Sequence, residues 1–334
     1  MAQRLDIVEE KFLNTIKKEK LIEKGDVVVV GVSGGPDSIT LLTCLNKYKS
    51  KLGCKIICAH INHLIREDST EDEQFVENVC KKMAIPFYAK RVKVEELAKI
   101  NKKGTEETGR KVRYDFFNEI CKKENANKIA IAHNQNDNAE TMILNLVRGS
   151  GMQGLEGIQP SEYGKYIRPL IYVSRKEIEQ YCEKNQLHPR IDSTNKENIY
   201  KRNIIRNIIM PELRRLNPNI EESLSRTSIL AKENNEFVEQ YAKKEYESIE
   251  SKKNSNEVEI DLKKFNQENI SIKQIIIRTA IEKLTGTTRN ISKSYIDNII
   301  SMANNNIGGK HIEFNKIQVG VTKLRDWLLP MLMN

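Results

Sequence analysis

Short β-branched runs alternate with stretches of helical apolar spacing over roughly the first 130 residues of the chain. The β-branched runs cover residues 26–31, 55–61, 86–92 and 128–133. The helical patterns between them cover residues 38–50, 69–84 and 107–124. Strands that alternate with helices are typical of βαβ units. The pattern therefore predicts an α/β fold with a doubly wound parallel sheet, in which ligands bind at the carboxyl ends of the strands.

Beyond residue 147 the pattern is less regular. The glycine-rich residues 148–160 predict a loop, and residues 166–173 predict a further strand. Helical patterns follow over residues 174–185 and 198–216.

A long charged helix, predicted over residues 219–254, marks a change of organisation. We place a domain boundary near Pro218, which gives a first domain at residues 1–217 and a second at residues 218–334. The second domain is predicted to be a smaller, mostly helical α+β domain. Its predicted elements are a strand at 257–262, helices at 270–284 and 291–304, and a strand pair over 308–321. The apolar final residues 327–334 either dock against another part of the protein or mark a shortened chain.

Composition and charge narrow the class of protein. Hydrophobic residues make up 39% of the chain and charged residues 30%, which is typical of a soluble globular protein and excludes intrinsic disorder. The formal net charge of +9 favours a polyanionic partner. The six cysteines include no CxxC pair, and no signal peptide or membrane-crossing stretch is evident. We therefore expect a cytoplasmic protein with no membrane contact.

The segment Ser33-Gly34-Gly35-Pro36-Asp37-Ser38 connects the first predicted strand to the first predicted helix. Gly34 and Gly35 let a phosphate approach the backbone N–H groups, and the helix N-terminus attracts the same anion. Pro36 suits the first helical position, where a backbone N–H is not needed. The segment predicts a phosphate-binding loop that lacks the Lys-Ser/Thr of a Walker motif.

Asp37 carries the most chemical information in this loop. A carboxylate beside a bound phosphate would repel it unless a cation lies between them, so Asp37 implies Mg²⁺ and is its predicted ligand. The alternative is an ordinary turn in which Asp37 is the N-cap of the helix.

Histidines lie at the ends of two of the predicted strands, at the edge where this fold binds ligands. His60 is near the end of the second strand, His63 comes just after that strand, and His133 ends the fourth. A His-x-x-His pair is found in zinc sites, but no further cysteine or histidine lies at ligand spacing, so we expect no zinc here. The alternative is that these residues only cap the ends of strands.

The residues after His133 open a helix. Its apolar stripe, predicted to be buried, consists of Ala139, Met142, Ile143, Leu146 and Val147. Asp137 falls on the opposite side and is expected to face away from the core, with Glu140 near it. The alternative is that Asp137 and Glu140 cap the helix.

Two basic segments favour contact with phosphates. Arg202 and Arg206 are predicted to share one side of a helix, opposite a core-facing side formed by Ile204, Ile205, Ile208 and Ile209. Arg110 and Arg113 lie on the helix predicted over 107–124. Either segment would serve as a phosphate-binding surface or as a solvated charged face.

The SGGPDS loop resembles that of the PP-loop ATP pyrophosphatases, which cleave ATP to AMP and pyrophosphate. Further motifs, over residues 25–216, are similar to those of the tRNA(Ile)-lysidine synthetases. They are AHINHLIRE, TGRKVRYDFF, HNQNDNAETMILNLVRGSGMQGLEGI, RPLIYVSRKEIEQY and DSTNKENIYKRNIIRNIIMPEL.

The resemblance implies a reaction in which ATP adenylates C2 of the wobble cytidine of tRNA(Ile) with a CAU anticodon, and free L-lysine then displaces AMP. It implies ATP binding by residues 33–38 and His60, with Mg²⁺ on Asp37.

The resemblance also assigns residues to the other substrates. Asp137 and Glu140 would bind lysine, and Asp137 would deprotonate it. His133, Arg113 and Arg206 would act on the reacting nucleotide, and Arg110 and Arg202 would bind substrate. The second domain would bind tRNA, and a homodimer is left open.

Two other functions are compatible with the loop. A PP-loop tRNA thiolase would need a catalytic cysteine or a CxxC-held cluster, whereas Cys54 and Cys58 lie on a predicted buried strand. A tRNA-binding protein with an inactive ATP site would bind tRNA without releasing pyrophosphate.

Overall fold

The structure is a computed structural model that describes residues 5–64, 69–190, 201–253, 257–287, 291–305, 311–314, 317–322 and 327–332. The chain divides into two compact units, Met1–Ala231 and Lys232–Asn334. The division falls within one long helix, and the predicted boundary at residues 217/218 lies just before that helix begins.

The first unit is built on a six-stranded sheet. Its strands are β1 (Val27–Gly31), β2 (Lys55–Asn62), β3 (Phe87–Arg91), β4 (Lys128–Ala130), β5 (Ser161–Glu162) and β6 (Tyr166–Ile167). The strand order is β3-β2-β1-β4-β6-β5, and every neighbouring pair except β5–β6 is parallel. The predicted doubly wound parallel sheet is therefore confirmed. The order reverses between β1 and β4, which opens a crevice at the carboxyl ends of these two strands.

Helices cover both faces of this sheet. The helices of this unit up to Lys184 are α1 (Ile7–Lys18), α2 (Pro36–Leu52), α3 (Ser69–Met83), α4 (Val94–Asn101), α5 (Thr105–Lys123), α6 (Gln135–Val147), α7 (Gly151–Gly154) and α8 (Arg175–Lys184). Val28 and Val30 of β1 pack in a core with α1, α2, α3 and α8, whereas Val29 packs with α5. Burial on both faces explains why β1 is an unbroken run of valines rather than an alternating strand.

Three predictions for the first unit need correction. The strand predicted over 166–173 ends at Ile167, because Pro169 lacks an N–H group and the chain then forms turns such as Ile171 N–H to Arg168 O. The strand predicted over 128–133 ends at Ala130. The segment 148–160 is not all loop, since it contains the short helix α7.

The segment from residue 201 onward is helical, as predicted, although residues 198–200 lie outside the described residues. It comprises α9 (Lys201–Ile204), a π-helical turn (Ile205–Ile209) and α10 (Met210–Leu216). The long helix α11 (Ile220–Ile249) follows, and the last residues of the predicted helix instead form strand β7 (Glu250–Lys253).

The second unit has a five-stranded antiparallel sheet and three further helices. The remaining elements are β8 (Val258–Asp261), α12 (Leu262–Gln267), α13 (Ile270–Thr285), α14 (Lys293–Asn304), β9 (His311–Phe314), β10 (Ile317–Thr322) and β11 (Trp327–Leu332). The strand order is β7-β8-β11-β10-β9. Much of the apolar stretch at 327–334 is therefore a strand inside the sheet, with Leu328 fully buried in the core. No helix in the described ranges is long and apolar enough to cross a membrane.

Two glycines with similar backbone angles provide a test of packing around α6. Gly157 (φ +62°) lies where an added Cβ would collide with Asn138 Oδ1, the atom that accepts the Ile158 N–H at 2.7 Å. Gly164 (φ +63°) has no atom within 4 Å of that position. We expect Gly164→Ala to cost about 1–2 kcal/mol from backbone strain, and Gly157→Ala about 1–3 kcal/mol more from overpacking. Urea unfolding followed by circular dichroism measures both, and equal losses would contradict the role given to the Asn138 contact.

Candidate active site

A cavity of about 450 Å³ opens at the carboxyl ends of β1, β2 and β4. The predicted site residues that line it are Ser33, Gly35, Pro36, Asp37, Ser38, His60, Arg113 and His133. Gly34 belongs to the same loop. The other predicted residues, Arg110, Asp137, Glu140, Arg202 and Arg206, are not part of the cavity lining.

The loop between β1 and α2 is shaped by Gly34 and Ser38. Gly34 has φ +96°, a conformation that side chains disfavour. Ser38 Oγ accepts the N–H groups of Ser33 and Gly34, both at 3.2 Å, and donates to the Gly35 carbonyl at 2.9 Å. Gly35 is the N-cap of α2 and Pro36 its first helical residue. The alternative in which Asp37 is the N-cap is therefore wrong, and its carboxylate is left to other partners.

Asp37 is held by two side chains. Its Oδ1 accepts a hydrogen bond from Asn134 Nδ2 at 2.9 Å, and its Oδ2 pairs with Arg175 Nη1 at 2.7 Å. Burial raises the pKa of Asp37, with a further increase from Asp137 and an opposing effect of Arg175. Each carboxylate oxygen retains a free lone pair, and the carboxylate lines the cavity.

The donor set at Asp37 fits Mg²⁺. Within the described residues no group of three or more histidine, cysteine or acidic side chains could hold a metal by itself. Mg²⁺ is commonly bound by one or two carboxylates together with substrate phosphates. A single cavity-lining carboxylate beside a phosphate-binding loop matches that arrangement.

Two carboxylates and two arginines, Asp137, Glu140, Arg202 and Arg206, form what we call the arginine–carboxylate cluster. Arg206 donates to Glu140 from Nε at 2.6 Å and to Asp137 from Nη2 at 3.1 Å. Arg202 donates to the same two carboxylates, at 3.1 Å each. Glu140 is nearly fully buried. Two positive and two negative charges thus balance within the cluster.

This cluster corrects the expectation for the basic segment at residue 201 onward. Arg202 and Arg206 neither lie on a solvated face nor stand free for phosphates, because buried acids on α6 need cations beside them. Of the four isoleucines expected on a core face, only Ile205 is buried. In the predicted stripe of α6, Leu146 and Val147 are likewise exposed, because the last turn of the helix extends past the core.

Asn134 connects the cluster to the phosphate-binding loop. It is the N-cap of α6 and forms a capping box with Asp137, whose backbone N–H it accepts at 3.0 Å and whose Oδ2 accepts its own N–H at 3.1 Å. Its side-chain amide also donates to Asp37. Asp137 therefore both caps the helix and pairs with arginine, whereas Glu140 takes no part in the cap.

Three histidines, His60, His63 and His133, line the cavity, and the hydrogen bonds of His60 and His133 select different tautomers. His60 is buried, its Nδ1 donates to the Val32 carbonyl at 2.8 Å, and its Nε2 has no partner in the described part of the chain. His133 Nδ1 instead accepts from Arg168 Nε at 3.1 Å. Burial lowers the pKa of both rings, and four nearby arginines lower that of His133 further.

Arg113 is a cationic side chain of the cavity that forms no ion pair with a carboxylate of the described residues. It lines the cavity, and no carboxylate among the described residues pairs with it. Arg110, one turn away, lies over the ring of Tyr114 at 4.9 Å. A guanidinium without a counter-ion beside a phosphate-binding loop is suited to an anionic ligand.

Three arginines of the site were missed by the sequence analysis. Arg175 pairs with Asp37, Arg168 contacts His133, and Arg190 donates its N–H to the Gly34 carbonyl while pairing with Asp72. Arg168 and Arg175 lie in the quoted motif RPLIYVSRKEIEQY, but their spacing alone carried no signal of a site.

Comparisons with known proteins show the family of the chain. A family model of the PP-loop domain matches residues 5–213. The tRNA(Ile)-lysidine synthase of Clostridium acetobutylicum is 42% identical over 298 residues, which cover 89% of this chain and 64% of that protein. The tRNA(Ile)-lysidine synthase of Chlorobaculum tepidum is 40% identical over 233 residues, 69% of this chain and 70% of that relative.

A solved structure shares the fold. The U34-tRNA thiolase NcsA from Methanococcus maripaludis, solved with its [4Fe-4S] cluster, superimposes with a TM-score of 0.56 over 67% of this chain and 78% of its own, at 20% identity. The present chain spans 64% of the length of the Clostridium acetobutylicum relative.

The cluster predicts a contrast between two arginine substitutions. Arg206→Met leaves the buried Glu140 with only one cation, and we expect a loss of about 1–3 kcal/mol in the free energy of unfolding. Arg226→Met removes an exposed ion pair with Glu222 and should cost less than about 1 kcal/mol. Thermal and urea unfolding of both variants check this. An equal loss in the two variants would mean that the cluster does not stabilise the fold.

Proposed function

We infer the function from the family: the chain belongs to the PP-loop family and, within it, to the tRNA(Ile)-lysidine synthases. The reaction that we propose is the ATP-dependent attachment of L-lysine to C2 of the wobble cytidine of tRNA(Ile) with a CAU anticodon. AMP and pyrophosphate would be the other products. One observation carries this proposal: the Asn134 side chain joins Asp37 of the phosphate-binding loop to Asp137 of the arginine–carboxylate cluster.

The cavity side of this junction is suited to ATP. The α2 N-terminus and the Ser33–Ser38 loop would receive the phosphates, and Arg113 and Arg175 would supply positive charge. Asp37 would hold Mg²⁺, which when bound would neutralise the charge on the departing pyrophosphate. Arg175 pairs with Asp37, so the carboxylate has a protein cation beside it as well as the proposed metal.

The cluster side is suited to lysine. Asp137 and Glu140 offer carboxylate oxygens to the ε-ammonium, and within the described residues Asp137 Oδ2 accepts only the Asn134 N–H. Because the cluster is already balanced, an incoming ammonium adds a third cation to it. Arg202 and Arg206 would then lower the pKa of that ammonium, which favours the neutral amine that attacks the activated cytidine. Asp137 is the proposed acceptor of the proton.

His133 and Arg110 are the proposed contacts to the nucleotide. The wobble base lies in a single-stranded loop, so it can be turned out into a pocket at low cost and contacted on its edge. His133 lines the cavity and is near the cluster, since Arg202 acts on its pKa. Arg110, stacked on Tyr114, presents a guanidinium next to Arg113 for a backbone phosphate. We also propose that the protein binds the whole tRNA and that the second unit takes part in this binding.

A thiolase is the less favoured function. All six cysteines are buried, and none lines the 450 Å³ cavity. Sulfur transfer would need one of them within reach of the activated base. The likeness to the archaeal thiolase concerns the fold alone.

The direct test incubates the protein with labelled L-lysine, ATP, Mg²⁺ and unmodified tRNA(Ile) bearing a CAU anticodon. We expect lysine to enter the tRNA with one AMP and one pyrophosphate released for each lysine. A tRNA with another anticodon loop is the control substrate. Binding of tRNA without pyrophosphate release would indicate an inactive ATP site, and sulfur-dependent turnover would indicate a thiolase.

The two halves of the site predict different defects for two conservative substitutions. Asp37→Asn removes the proposed metal ligand and should lower tRNA-dependent pyrophosphate release by about 100-fold or more. Asp137→Asn should leave that release near its normal rate and raise the KM for lysine about 10- to 100-fold, because a charge-assisted hydrogen bond is lost.

The control for both variants is Asp115→Asn, an exposed carboxylate of α5 that does not line the cavity. All three proteins should fold, with the midpoint unchanged in Asp115→Asn and lower in Asp37→Asn and Asp137→Asn, because each of these two loses an ion pair with arginine. A normal KM for lysine in Asp137→Asn would rule out the cluster as the lysine site, and normal pyrophosphate release in Asp37→Asn would rule out the metal role.

A further inference from the structure

Arg168 lies beside His133 because of the sheet. Strands β4 and β6 are parallel neighbours, with Ala130 opposite Ile167. His133 follows β4 and Arg168 follows β6, so both leave the sheet at the same edge. Arg168 is only 3% exposed, which is unusual for an arginine. A buried guanidinium needs hydrogen-bond partners close to it.

Three hydrogen bonds hold the Arg168 guanidinium in different directions. Nη1 donates to the Gln159 carbonyl at 2.8 Å and Nη2 to Glu162 at 2.7 Å. Nε donates to His133 Nδ1 at 3.1 Å. The first two bonds fix the orientation of the planar guanidinium. The third bond then fixes which nitrogen of the His133 ring faces Arg168.

The third bond determines the chemical state of His133. A guanidinium is always protonated and has no acceptor atom, so His133 Nδ1 must carry the lone pair. The ring is then neutral and its proton lies on Nε2. His133 lines the cavity, and Nε2, the ring nitrogen away from the bond to Arg168, is the donor that is left for a ligand.

We propose that Arg168 is a positioning residue that keeps His133 in the neutral Nε2–H tautomer, so that His133 donates a hydrogen bond to an acceptor oxygen of the bound nucleotide substrate. The inference rests on the proposed function for the identity of that substrate. A fixed donor would recognise an acceptor oxygen on a base or a phosphate, and it would disfavour an amino group at the same place.

The charged surroundings of His133 support this state. Burial lowers the pKa of His133 far below its ordinary value, and Arg168, Arg202, Arg110 and Arg113 act in the same direction. An imidazolium, which would break the bond from Arg168, is therefore disfavoured at neutral pH. Among these four arginines, Arg168 is the one whose hydrogen bond also selects the tautomer.

The tautomer can be read without any enzymatic assay. Two-bond ¹H–¹⁵N spectra of the full chain labelled with [¹⁵N]histidine distinguish the two neutral tautomers from the imidazolium, and His133→Gln assigns the resonance. We expect the Nε2–H form, unchanged between about pH 5.5 and pH 8. An Nδ1–H form, a tautomer mixture or an imidazolium in the wild-type protein would overturn the proposal.

Two variants separate positioning from simple support of the 159–162 segment. Arg168→Met removes the donor to Nδ1, so the tautomers should mix and the pKa of His133 should rise. Glu162→Gln removes the ion pair of Arg168 but keeps the donor, so the tautomer should stay. A shift of the His133 resonances in Glu162→Gln as large as in Arg168→Met would mean that Arg168 only supports the segment.

A double-mutant cycle extends the test to the reaction. Gln in place of His133 presents an amide donor whose state does not depend on Arg168. We expect Arg168→Met to lower kcat about tenfold or more in the wild-type background, and less than about twofold in the His133→Gln background. Equal effects in both backgrounds would contradict the proposal.

The spectra also allow the proposed function and the positioning role of Arg168 to fail independently of each other. If lysine does not enter tRNA but His133 is in the Nε2–H form, the proposed function fails and the role of Arg168 in setting the tautomer stands. If lysine transfer proceeds and the tautomer differs, the proposed function stands and the positioning role fails. Should Arg168→Met not fold, the wild-type spectra still decide the tautomer.

Discussion

The hydrogen bonds of Asn134 hold the candidate site together. One amide side chain caps α6, accepts the Asp137 N–H and donates to Asp37, which is 97 residues away in sequence. These bonds are available because β1 and β4 are parallel neighbours, so that the loop after one strand and the helix after the other begin side by side. Without that pairing the phosphate-binding loop and the carboxylates of α6 would have no common edge.

Charge compensation is the second constraint on the site. Three carboxylates, Asp37, Asp137 and Glu140, lie close to one another, and each pairs with arginine. Like charges at this spacing would otherwise raise one another's pKa values and destabilise the fold. In the proposed reaction these arginines gain a second use: Arg175 faces the anionic phosphates, whereas Arg202 and Arg206 lower the pKa of the lysine ammonium. Stability and chemistry thus depend on the same ion pairs.

Much of the fold followed from local patterns. The valine run, the glycine-rich loop and the helical spacings predicted the order of elements in the first unit, because burial on two faces and backbone flexibility act within a few residues. The patterns predicted less where tertiary contacts decide whether a residue is buried or belongs to a strand. Leu146 and Val147 have helical spacing but no core to pack against, and residues 327–332 form a strand that depends on β8 and β10 as neighbours.

The sequence by itself determined which chemical groups lie near the ends of the strands. These are the phosphate-binding loop, two histidines and the acidic residues of α6. It also placed Asp37 at the start of a helix, where a metal ligand is useful. Only the tertiary structure decided their partners. Arg202 and Arg206 read as a free basic stripe in sequence, yet they neutralise Asp137 and Glu140, and Arg168 had no signal until β6 placed it beside His133. The reason is that charge pairing and tautomer selection depend on distances between residues far apart in the chain, which no local spacing encodes.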